Sequence, residues 1–189
     1  MNTLEKASSP LFWGLPLLLF LLLTPSAAKG ADDGAYLDKN WLIWNDLVDP
    51  SWDPEAIFKE LGVDQLQDDD PRAEAVLNEF LERWNNAPVN AAMNGKAVKI
   101  PGFVVPLDYE DAEMREFFLV PFFGACIHVP PPPPNQIIYV VSGKGLKGIE
   151  AMEVVWVYGT IKAEKFQTDL GSAGYTLPAD RVEIYRNDS

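Results

Sequence analysis

Residues 96–107 read KAVKIPGFVVPL. On either side of Pro101 and Gly102, β-branched and other apolar residues alternate along the chain with the period of two that marks a half-buried strand. Proline cannot donate to a ladder, and a glycine inside a strand marks a bend or bulge. The stretch therefore predicts one long strand, bent at its centre.

Working outward, residues 117–120, 136–141 and 153–163 are rich in aromatic and β-branched residues and predict three more strands. The last of these, EVVWVYGTIKA, carries Gly159 in its middle, a second bend signal. A fifth extended segment is expected within residues 175–185. Residues 111–116 are short and polar and read as a turn of helix or a loop. Five strands, two of them long and kinked at glycine, predict a mainly β fold with N-terminal helices, built on a small five-stranded barrel of the oligonucleotide/oligosaccharide-binding (OB) type. An open two-sheet β-sandwich is the alternative.

Before residue 90 the patterns are helical. PEAIFKEL, residues 54–61, has Asp53 as N-cap, Pro54 at the first helical position and Gly62 just past the end. PRAEAVLNEFLERW, residues 71–84, repeats the scheme with Asp70 as cap, and sets Val76, Leu77, Phe80, Leu81 and Trp84 along one face that should dock on the domain behind it. The acidic turn between them, residues 67–70, lacks the spaced oxygen ligands of a calcium loop. Trp41, Trp44 and Trp52 are expected to pack beside the barrel rather than to form a sugar-binding platform.

The uncharged run LFWGLPLLLFLLLT, residues 11–24, is followed by Pro25, Ser26, Ala27 and Ala28. This is the length and exit of a signal peptide, short of a membrane span. Cleavage is expected after Ala28, with Gly30 the second choice. The organisation predicted is then a signal peptide over residues 1–28, a helical appendage over 29–90 packed on the barrel, and the barrel over 91–189. No membrane span remains after cleavage, and export implies a periplasmic protein.

Loss of Lys6 and Glu5 with the leader leaves the formal charge at −13. A surface this acidic repels phosphate backbones, so nucleic acid is excluded as the expected partner of the barrel. One cysteine cannot form a disulfide within the chain, so the fold must hold by packing alone. The oligomeric state is not legible.

That single cysteine, Cys126, stands two residues from the single histidine, His128, in GACIHVPPPPPNQ. Along an extended chain both side chains point to one face. Pro130, Pro131, Pro132, Pro133 and Pro134 then form a polyproline rod of about 15 Å, at roughly 3.1 Å per residue, and Asn135 and Gln136 resume the polar sequence. The rod would hold both flanks at a fixed separation, and its prolines, with Asn135 and Gln136, are expected to position a ligand. Three readings follow from the residues. Sulfur and imidazole suit zinc or copper, with a carboxylate such as Asp108, Glu110 or Asp111 completing the shell. A histidine-activated thiol would instead make a redox or transfer enzyme, but no third, orienting residue is evident, so an enzyme is the lesser expectation. In the third reading the stretch is structural, with Cys126 in the core and the prolines as a lid. The blocks GFVVPLD, VYGTI and AGYTL, together with FFLVPFFGACIHVPPPPPNQ, resemble a family of bacterial exported proteins, domain of unknown function 3299. Some members of that family are encoded beside ABC-transporter components in zinc-responsive clusters. The resemblance implies a periplasmic accessory to membrane transport components and strengthens the zinc reading, while a non-catalytic scaffold docking on a transporter stays open.

Overall fold

The structure is a computed structural model and describes residues 41–67, 69–110, 113–124 and 131–186. The proposed leader, residues 1–28, lies outside them. Five strands close a barrel: β1 (Ala97–Glu110), β2 (Glu113–Val120), β3 (Ile138–Leu146), β4 (Val154–Thr160) and, after the short β5 (Phe166–Thr168) and β6 (Gly171–Ala173), β7 (Tyr175–Ile184). Their order around the barrel is β1-β2-β3-β7-β4, with β3 and β7 parallel and the other pairs antiparallel. Closure rules out the open sandwich.

The bend in the opening stretch explains the closure. β1 pairs with β4 from Ala97 to Phe103 and with β2 from Phe103 to Glu110, so Phe103 belongs to both ladders. One strand thus serves both sides of the barrel. A Cβ at Gly102 would lie 2.6 Å from Leu119 Cγ and 2.9 Å from the Val120 carbonyl, so only glycine lets β2 come this close at the turn. Gly159 does the same for β4, where a Cβ would strike the carbonyl oxygen of Pro178 on β7 and where the β4–β7 register shifts.

Inward-facing Ile100, Val104, Phe117, Leu119, Val157 and Leu177 are fully buried in the barrel. Each contributes about 1.5–3 kcal/mol by leaving water. The amino segment reaches into this core as well. Leu42 and Leu47 are buried in it, the Leu42 amide donates to Lys99 at 2.8 Å, and Trp44 Nε1 donates to the Pro101 carbonyl at 2.9 Å.

Helix α1 (Pro54–Glu60) starts where its signals place it, Asp53 accepting from the amides of Glu55 and Ala56. Helix α2 (Ala73–Asn85) starts two residues later than expected. The Asp70 carboxylate takes the Arg72 amide and guanidinium instead of capping a helix, and that hydrogen bond holds its pKa below the usual range. The helices pair through aromatic rings, Phe80 edge-on to Phe58 and beside Trp84, which itself meets Trp52. No residue of either helix is buried, and Leu77, expected on the docking face, is 51% exposed.

Two further departures concern strands. Glu113–Glu116 belongs to β2 and is neither helix nor loop; a bulge between Met114 and Glu116 breaks the alternation that would have betrayed it. The hairpin of β5 and β6 was not anticipated. It lays Phe166 flat on Tyr139, ring centroids 3.5 Å apart, and edge-on to Phe118, so that part of the barrel's outer wall has a small core of its own.

Candidate functional site

Cys126, His128 and Pro130 lie outside the described residues, as does Asp111. The structure describes the frame on either side of them. β2 ends at Val120 and a turn over residues 121–124 follows, in which Phe122 and Phe123 are exposed and Phe123 stands edge-on to Phe103.

On the far side the rod is anchored at Pro131, Pro133 and Pro134. Proline carbonyls can only accept, and four donors meet them: Trp84 Nε1 donates to Pro131 at 2.8 Å, the Gln136 amide to Pro133 at 2.8 Å, and the Gly174 and Ile137 amides to Pro134 at 2.7 and 3.1 Å. Pro132, Pro133 and Pro134 are buried. Gly174 has to be a glycine for this contact, because a Cβ would sit 2.5 Å from Val89 Cγ1 and 2.7 Å from the Pro134 carbonyl.

Asn135 and Gln136 follow in a short 3-10 turn, Pro134–Gln136. Asn135 is wholly buried, and its Nδ2 donates to the Pro88 carbonyl at 2.9 Å. Gln136 Nε2 donates to the Trp44 carbonyl at 2.9 Å. Both amides therefore tie the end of the rod to the amino-terminal segment. The prolines act as a strut joining α2, the amino segment and the start of β7.

Asp108 is exposed on β1 and pairs with Glu116, close to the β1–β2 turn. β2 continues from Glu116 to Val120, and Cys126 and His128 lie beyond it, outside the described residues. Asp169, which no local pattern singles out, lines with Asn85, Asn86 and Ser172 a cleft of about 370 Å³ beside Pro131 and Pro132. The Ser172 hydroxyl is buried without a partner there. A tertiary contact across more than thirty residues leaves no local signal. Among the described residues no group of three or more His, Cys, Asp and Glu side chains could hold a metal ion, and no helix is long and apolar enough to cross a membrane.

Residues 44–184 match the model of a family described as protein of unknown function, DUF3299. The chain belongs to this family. The crystal structure of a DUF3299 family protein from Pseudomonas aeruginosa PAO1 is similar, with 35% sequence identity and a TM-score of 0.60, over 79% of this chain and 98% of that one. No curated protein matches. The DUF3299 match begins at Trp44 and ends at Ile184, so it takes in Leu47 of the amino segment, the strut and the seven strands of the described residues.

Proposed function

We propose that this DUF3299 protein is an exported, periplasmic binding protein rather than an enzyme. In this reading Cys126 and His128 take a soft metal ion, zinc first, in the service of a membrane transport system. The observation that supports it is the strut. A segment held by Trp84, Gly174, Asn135 and Gln136 delivers one flank of the Cys126–His128 stretch to a fixed place, so little ordering entropy is left to lose when a ligand binds. Thiolate and imidazole suit zinc, and the shell is completed by water or by a carboxylate, Asp108 first, with Asp169 beside Pro131 and Pro132 as a second candidate.

Metal analysis of the purified protein tests this beside a Cys126→Ser, His128→Ala double variant. About one zinc per chain is expected in the wild type and none in the variant. Affinity should fall on acidification, because protons compete for both ligands. Equal zinc in the two proteins would refute the proposal.

A further inference from the structure

The barrel wall opens between two of its strands. β3 and β7 pair only from Ile138 and Tyr175 to Ser142 and Ala179. Beyond that point β3 continues to Leu146, which pairs with Met114 on β2, while β7 continues along β4 with Val182 opposite Val157 and Ile184 opposite Val155. Where the two strands part, Leu146, Ile149, Val182 and Ile184, all in contact with the core, line a cleft of about 590 Å³. That volume lies within the usual range for small-molecule sites.

Lys99, Lys147, Arg186, Glu183, Trp156 and Tyr158 complete the lining. Their charges differ in how they are balanced. Glu183 accepts from Tyr158 Oη at 2.9 Å and pairs with Arg181 at 3.3 Å, and Lys147 pairs with Glu113 at 2.9 Å. Among the described residues Lys99 has no carboxylate partner. Its Nζ stands 4.2 Å above the Trp156 ring, held by the ring's negative face. Among the described residues Arg186 makes no ion pair either. On a chain of charge −13, carboxylates abound, yet no described carboxylate pairs with either of these two cations at one cleft.

We propose that this cleft binds a small amphipathic organic acid. Its hydrocarbon part lies on Leu146, Ile149, Val182 and Ile184, and its carboxylate lies between Lys99 and Arg186. A hydrocarbon floor selects against phosphate or a free sugar, and two unbalanced cations select against a neutral or cationic amphiphile. Trp156, in contact with Lys99, reports occupancy through its fluorescence.

Octanoate is the probe, titrated into the purified protein by calorimetry and by tryptophan fluorescence, with 1-octanol and octyltrimethylammonium as the uncharged and cationic counterparts. Octanoate should bind at one site and at least tenfold more tightly than either. Lys99→Met and Arg186→Met, both surface changes whose folding is verified by thermal melting, should each weaken octanoate about tenfold, the scale of one charge-assisted contact. Three outcomes overturn the proposal: no saturable octanoate binding, octanol binding as tightly as octanoate, or unchanged octanoate affinity in the Lys99→Met, Arg186→Met double variant.

Discussion

Tyr175→Phe isolates the contact that holds the amino segment in the barrel. Tyr175 is fully buried at the start of β7, its hydroxyl 2.7 Å from the Leu47 carbonyl and 3.2 Å from that of Asn90. The substitution keeps the ring and its packing and deletes only the donor. Both carbonyls keep an amide donor, Asn90 at 3.1 Å on Leu47 and Met93 at 3.0 Å on Asn90, so neither is left unsatisfied. The loss is one net hydrogen bond, about 0.5–1.5 kcal/mol. Urea unfolding at neutral pH, followed by tryptophan fluorescence, should show the variant less stable by that amount.

The same hydroxyl makes a second, sharper demand. Burial pushes the Tyr175 phenol up from its ordinary value of 10.0 to about 12. A group whose pKa is raised on folding contributes its stability in full below the unfolded value and loses it as pH rises through the folded one. Two units at 1.36 kcal/mol each amount to about 2–3 kcal/mol, lost between pH 10 and 12 in the wild type only. The gap between wild type and Tyr175→Phe should therefore narrow above pH 10. A gap that stays constant from pH 7 to 11, or a variant as stable as the wild type at pH 7, refutes the reasoning.

Gly159→Ala should cost about 1–3 kcal/mol, since the added carbon meets the Pro178 carbonyl and forces β4 from β7; an unchanged melting temperature would count against it. Exchanging Pro132 and Pro133 for glycine should hasten hydrogen exchange at the Gly174 amide and the Trp84 indole, two donors that reach the rod from distant parts of the chain; unaltered exchange at both would mean that the prolines are not the strut described. Amino-terminal sequencing of protein recovered from the periplasm should begin at Lys29 or Ala31, and a full-length chain in the membrane fraction would contradict a cleaved leader.

Backbone signals were the most legible part of the chain. Pro101-Gly102 and Gly159 announced the two bends on which closure depends, and Asp53, Pro54 and Gly62 framed α1. These are local constraints, written in adjacent residues. What escaped was non-local. β5 and β6 are three residues each, too short to display a period, and stand by the stacking of Phe166 on Tyr139. Trp41 was expected to pack but is 57% exposed, stacked on Trp156 of β4 at 5.2 Å. Asn135 and Gln136 were read as groups that position a ligand, and nothing near them in sequence could reveal that their amides meet carbonyls 47 and 92 residues away. Leu47 in the core is a case of the same kind, because the residue that fastens it, Tyr175, lies 128 positions further on.

That separation bears on the order in which the molecule can assemble. β7 fills the gap between β3 and β4 and also carries the hydroxyl that fastens Leu47, so neither ring closure nor the seating of the amino segment can finish before residues 175–184 are available. A chain emerging amino end first from a ribosome holds an incomplete sheet with two unpaired edges until residues 175–184 arrive. Such long-range pairing folds slowly, because the loop entropy is lost before the contacts are gained. The same delay leaves both edges open to mispairing for as long as it lasts.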